Sequence, residues 1–253
     1  MAARVGHGTA SGATYADRVR TFSDVLAAQL RADPGRPLVT FYDHATDERV
    51  ELSVATYANW VAKVASLLAE EGDLERGQRI RLDLPPHWLG PVFVGAAWTL
   101  GLALTTDESP DAAVCGPAGL DRWAPRAGEV AVLACSLLPL GVRFAEPVPP
   151  GVVDVGIEVW SQPDAFVPWD PPTADDVAVD DGRTQGELME AAAAGSLLTD
   201  GGRLLSAANP ASPPGLATFT EPLARSGSLV LVASPDAARL ESTYDTERAT
   251  HRA

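Results

Sequence analysis

Four aspartates and a Gly-Arg-Thr triplet crowd one short stretch, Asp175-Asp176 followed by Asp180-Asp181-Gly182-Arg183-Thr184. Clustered carboxylates are what Mg²⁺ and Ca²⁺ favour. A Gly-containing turn that opens a helix is where backbone N–H groups converge on an anion. The spacing does not match an Asp-x-Asp-x-Asp-Gly loop with a later glutamate, and a helix dipole favours acidic groups at its start without any ion. No metal site is therefore assigned. Gly182, Arg183 and Thr184 stand as the candidates for weak anion or nucleotide binding, and no catalytic residue is assigned.

Other chemistry-bearing side chains are scattered. His87, beside Trp88 and after Pro85-Pro86, could mark a pocket at the carboxyl end of a strand; a partly exposed first-turn histidine is the simpler expectation. His44 reads as a turn residue, and Lys63, the only lysine, as a solvated residue on a helix. Cys115 and Cys135 lie in apolar runs and read as buried reduced thiols. A Gly-x-Ser-x-Gly elbow, a Walker loop, Gly-x-Gly-x-x-Gly and Cys-x-x-Cys are all absent, so hydrolase, NTPase, dinucleotide and zinc chemistry have no motif support.

The elements that must position these residues follow from periodicity. Helical spacing runs from Thr21 to Ala32 and again from Ser53, a good N-cap, to Gly72. Leu38–Tyr42 and Arg49–Leu52 read as a strand pair around a polar turn. A strand at Ile80–Leu84, a helix from Trp88 to Leu100, Gly101 and an apolar strand then make a strand-helix-strand unit. The uncharged run Trp88–Thr106 approaches membrane-span length, but Pro91 and Gly101 favour a buried helix and strand. Apolar runs at 112–116 and 129–138 suit buried parallel strands. Pro147–Pro172, with Trp160, Phe166 and Trp169, reads as an extended connection packed by its aromatics. Val177-Ala178-Val179 is strand-like, a helix is expected over Gln185–Ala194, and a second Gly-x-Arg-aliphatic strand begins at Gly201. A helix near Leu216–Arg225, a strand at Ser228–Val232 and a helical tail with frayed last residues complete the chain.

The expectation is an α/β fold of two similar layered subdomains with largely parallel sheets. Its parts are a flexible N-terminus over 1–20, a first subdomain over 21–145, a Pro-rich connection over 146–173 and a second, truncated subdomain over 174–253. At 253 residues and 46% hydrophobic the chain can bury a large core. A net charge of −15 without basic clusters excludes nucleic acid and anionic membranes as partners. Residues 1–20 hold no apolar signal core, which points to the cytoplasm. Oligomeric state is not legible.

With its elements placed, the chain resembles the N-terminal half of the AMP-forming acyl-CoA synthetase and ligase family, the adenylate-forming enzymes. The likeness rests on Leu52-Ser53, Gly77-Gln78-Arg79-Ile80 into Leu84-Pro85-Pro86, Ala96-Ala97-Trp98 into Gly101, Gly202-Arg203-Leu204-Leu205-Ser206, Pro222-Leu223-Ala224 into Gly227–Val232, and Glu247-Arg248-Ala249-Thr250. More narrowly, it looks like a short, uncharacterised actinobacterial group. In the family a Ser/Thr/Gly-rich loop ending in Gly-x-Pro-Lys holds the ATP phosphates after the position of Val177-Ala178-Val179. Here only Asp180-Asp181-Gly182-Arg183-Thr184 stands there, and the family's adenine motifs and C-terminal lysine domain would fall beyond Ala253. The resemblance thus implies a degenerate, catalytically inactive relative acting as a binding or interaction protein, without cofactors, partnered by another protein or a full-length synthetase. The alternative is an acyl-activating component completed by a partner chain, which would use ATP, AMP and Mg²⁺.

Overall fold

The computed structural model describes residues 20–253; the expected flexible N-terminus lies, apart from Arg20, outside them. Helix α1 (Phe22–Ala32) is opened by a capping box in which Thr21 accepts from the Asp24 amide and Asp24 accepts from the Thr21 amide. Strands β1 (Pro37–Asp43) and β2 (Glu48–Ser53) form the expected antiparallel pair. Ser53 then caps α2 (Val54–Glu70) through the Thr56 amide. After β3 (Arg79–Asp83) the uncharged run folds as α3 (Leu89–Leu100), stopped by Gly101 at φ 81°, and β4 (Ala103–Leu104). Next come β5 (Ala112–Cys115), α4 (Leu120–Trp123), β6 (Ala131–Ala134), β7 (Val152–Asp154) and α5 (Val155–Glu158). The remainder is α6 (Gln185–Ala194), β8 (Arg203–Ser206), α7 (Ala217–Ala224), β9 (Ser228–Ala233), α8 (Ala237–Thr246) and β10 (His251–Arg252).

Two five-stranded sheets result, one ordered β10-β8-β9-β1-β2 and the other β4-β3-β5-β6-β7. Every pairing is parallel except β1 with β2. The β1–β2 hairpin, early in the chain, completes the sheet of the late strands, so each sheet is a spatial unit but only one is continuous in sequence. Strand alternation explains the near-continuous apolar runs. Leu229 and Leu231 join the main core, which also takes Phe41, Trp98, Phe93, Val114 and Leu133. Their neighbours Val230 and Val232 face the opposite side, with Leu240 and Tyr244 of α8 packed against them. Ala113, Cys115 and Val132 likewise turn to the other face of the second sheet with Trp123 of α4. Helices thus cover both faces of both sheets. Burying each large side chain contributes about 1.5–3 kcal/mol, which makes α3, buried along nearly its whole length, a core helix. No described helix is long and apolar enough to cross a membrane.

Three expectations are corrected. The Pro-rich segment is not wholly extended: β7 pairs with the open edge of β6, and Asp154 caps α5 through the Gly156 amide. Trp160 packs edge-on against Trp60 at 5.5 Å, while Trp169 is fully exposed and packs nothing. The last residues are not frayed: β10 covers the edge of β8, where the Thr250 amide donates to Arg203 O and the Ala253 amide to Leu205 O. His44 is more than a turn residue, being buried, with Nδ1 accepting from the Asp236 amide and Nε2 bonded to Thr243 Oγ1 at 3.0 Å. It pins α8 to the sheet.

Glu247 makes the tail part of that sheet. Its carboxylate, 7% exposed, accepts from Tyr42 Oη at 2.5 Å and Arg49 Nε at 3.0 Å and pairs with Arg203. Burial opposes its ionisation, but these donors hold its carboxyl below the usual range. Glu247→Ala leaves the mostly buried Arg203 short of its counter-charge and is expected to lower unfolding free energy by about 3 kcal/mol in urea titration. Arg252→Ala, which breaks an exposed pair with Glu241 and a stack over Tyr244, should cost much less. Equal small losses would remove the network from the stability account.

Candidate functional site

The connection ahead of α6 is a turn, with Gly182 at φ 93°. Val177–Val179 lies beside β4 through a single bridge, Leu104 with Val179, rather than as a full strand. The Asp180 amide donates to Leu104 O, and the Asp180 carboxylate accepts from Thr105 Oγ1 and the Thr106 amide at 2.7 and 2.9 Å. From Gly182 to Glu187 all six backbone N–H groups donate within the protein, to Val179 O, Asp181 Oδ1, Glu187 Oε2, Asp176 O, Ala174 O and Thr184 Oγ1 in turn. Arg183 is engaged too, its Nε 2.8 Å from Asp181. Gly182, Arg183 and Thr184 are adjacent as expected, but the donors a triphosphate needs already have acceptors. These residues do not fit a nucleotide phosphate.

A different place has the form of a site. Asp43 ends β1, Ala233 ends β9, Pro85–His87 follow β3 and Leu137–Pro139 follow β6, and together they line a cavity of about 580 Å³ between the carboxyl ends of the two sheets. Open α/β sheets bind ligands at such edges. His87 lies 4% exposed in its wall, tilted against Phe41 with ring centroids 4.9 Å apart. Its Nδ1 accepts the Leu89 amide at 3.2 Å, so the neutral ring carries its proton on Nε2, which has no partner in the protein. Burial pushes its pKa down to about 4, against a smaller opposing pull from Asp43. Glu48, on the same wall, has an unpartnered buried Oε1, and burial, then Asp43, push its carboxyl up. Asp43 is opposed by burial, yet donors from Ala45, Ser234 and Thr46 hold it below the usual range.

The fold has counterparts. An acyl-CoA synthetase of Brucella canis superposes with a TM-score of 0.76 at 14% identity over 92% of this chain, which spans 47% of that one. The N-terminal domain of FACL13 from Mycobacterium tuberculosis gives 0.69 at 17% over 91%, and 61% of that chain is covered. At such identities the likeness is one of fold, and it bears out the expected N-terminal synthetase architecture. No protein-family model matches the chain. A TIGR03089 family protein of Mycobacterium tuberculosis (strain ATCC 25618 / H37Rv) is 39% identical over 240 residues, covering 89% of this chain and 95% of the relative. The chain belongs to the TIGR03089 family. An actinobacterial group was the expectation, and the relative's source agrees.

In this TIGR03089 chain the remaining candidates are structural. Asp176 pairs with Arg76 at 2.7 Å and Asp181 with Arg183, so with Asp180 tied to Thr105 the aspartates do not converge. Among the described residues no three His, Cys, Asp or Glu side chains gather as a metal would require. Lys63 is not solvated: its side chain is 18% exposed, and its ammonium donates to Gln162 O and pairs with Asp164, tying the Pro-rich connection to α2. Cys115 and Cys135 are buried and free, as expected. His87 is not partly exposed; the Pro-Pro that ends β3 turns it inward. The one sequence signal was that Pro-Pro-His follows a strand.

His87 sets a pH test. Its folded pKa lies below the unfolded value near 6.5, so as pH falls from ~6.5 toward ~4 the unfolded chain takes up a proton that the folded chain refuses. Stability from this group is whole above about pH 6.5 and is lost below it, by roughly 3 kcal/mol across the window. Urea titrations of wild type and His87→Phe from pH 7.5 to 4.5 should therefore diverge, the variant lacking that slope. Parallel curves would place His87 in water.

Proposed function

We propose that this protein is an adenylate-forming-enzyme-like chain that does not adenylate and acts instead as a binding protein. The observation that carries the reading is the saturated connection from Gly182 to Glu187, where every backbone N–H already has an acceptor inside the fold. Transfer of an adenylyl group needs preorganised donors and positive charge where charge develops on phosphate, and removing one such donor alone costs about 10²–10³ in rate. Here Asp180 and Asp181 flank the position, and the cation of the turn, Arg183, is paired. The cavity between the sheets gives the binding role a place: it is concave, mostly apolar and of small-molecule size. On this reading ATP, AMP and Mg²⁺ are not cofactors of the chain, and a full-length synthetase or another protein is its natural partner.

A second reading is an acyl-activating component completed by a partner chain. The fact that favours it is that the chain spans only about half of the Brucella synthetase.

ATP–pyrophosphate exchange with Mg²⁺ and a panel of carboxylic acids separates these. Purified protein is expected to show exchange no higher than buffer, at least about a thousandfold below a competent enzyme. Exchange by the chain alone overturns the proposal, and exchange that appears only with an added partner chain favours the second reading.

A further inference from the structure

Trp169 is a large apolar side chain that its own fold does not use. It is fully exposed, and Val167, two residues earlier, is 87% exposed. The segment that carries them is nonetheless held in place. Phe166 packs against the main core, Arg76 pairs with Asp170 at 3.0 Å and donates to Pro171 O at 3.2 Å, and Pro168, Pro171 and Pro172 fix their own φ. Tryptophan is among the side chains that dominate protein interfaces, and one on a segment already ordered loses little freedom when it binds.

The same surface holds a cavity that suits an indole. Between β2, α2 and the Pro-rich connection, Leu52, Trp60, Trp88, Leu140 and Trp160 line a space of about 420 Å³. Trp60 meets Trp88 and Trp160 edge-on, with ring centroids 5.0 and 5.5 Å apart. Leu140 and Trp160 remain 69% and 54% exposed, so apolar lining is open to solvent. The charged lining is balanced, Glu51 by Arg49 at 2.8 Å and Lys63 by Asp164 at 3.1 Å. That leaves no net charge to recruit an ion, while the carboxylates still offer acceptors to an indole N–H, which only donates.

We propose that this face is a self-association surface, on which Trp169 of each copy enters the Trp60 and Trp160 cavity of the other. Asp164, on the cavity lining, stands five residues before Trp169, a span of at most about 18 Å. Key and cavity are therefore close enough for two copies to exchange them about a two-fold axis, each contact being made twice. Each indole brings about 150–250 Å². Two of them, with the cavity walls they cover and Val167 alongside, reach on the order of 1,000 Å², the lower end for a specific interface. The charge of −15 on each copy opposes the approach, and salt screens that repulsion. The dimer is accordingly weak, reversible and strengthened by salt.

Sedimentation equilibrium of the wild type, from micromolar to submillimolar protein, is expected to show a reversible monomer–dimer equilibrium that tightens as sodium chloride is raised. Two variants test its parts. Trp169→Ala removes the key from a fully exposed position, and Leu140→Asp sets a charge on the open cavity lining at a φ of 64° that aspartate tolerates. Each should weaken association about thirtyfold or more. Mixed in equal amounts, the two variants should form dimers that neither forms alone, because one keeps an intact cavity and the other an intact key. A wild type that stays monomeric, a Trp169→Ala chain that dimerises as well as wild type, a mixture that stays monomeric, or growth beyond the dimer each overturns the proposal. So does a wild type that stays monomeric yet binds N-acetyltryptophanamide saturably, since the cavity would then serve another protein's tryptophan.

Discussion

A buried backbone N–H finds one acceptor and keeps it, and the start of α6 is where that constraint governs the molecule. Gln185, 1% exposed, accepts from the Phe22 amide and donates to Trp98 O, tying α1 and α3 to α6. Trp98 in turn donates to Ala178 O. The turn from Asp180 to Thr184 is therefore wired into the centre of the helix layer between the sheets. To free the Thr184 and Glu187 amides for a phosphate, the Thr184–Glu187 capping box would have to open. A phosphate at this position would compete with bonds that also help to hold the start of α6.

The layered architecture places a second opening at the carboxyl edges of both sheets. It depends on the β1–β2 hairpin crossing to the late strands, since β1 beside β9 brings Phe41 and Asp43 opposite the loop after β3. A neutral His87 belongs to the same logic: an apolar wall disfavours its charged form, and its Nδ1 bond to the Leu89 amide fixes the tautomer. The site's polarity thus follows from its packing.

Local grammar was legible wherever one residue decides an element. Ser53, Gly101 and the helix Gln185–Ala194 stand where their capping chemistry and periodicity put them. What was not legible depends on distant partners. Val152–Asp154 becomes a strand only because β6 has an open edge, and His251–Arg252 only because β8 does. Lys63 reads as solvated until the segment around Gln162 folds over it. The candidates Gly182, Arg183 and Thr184 were placed correctly in the turn, but whether their donors are free is a tertiary fact, set by Val179, Asp181 and Glu187. The position of His87 after a strand is legible in the sequence and its burial is not, because that depends on packing against Phe41 of β1.

The most direct measurement of the central claim is the response of the backbone amides from Gly182 to Glu187, observed by ¹H–¹⁵N correlation spectra during a titration with Mg²⁺–ATP. If the six N–H groups from Gly182 to Glu187 are committed to acceptors within the fold, those resonances hold their positions up to millimolar nucleotide. A saturable displacement of the Gly182, Arg183 and Thr184 amides would show that the turn receives phosphate and would contradict the account.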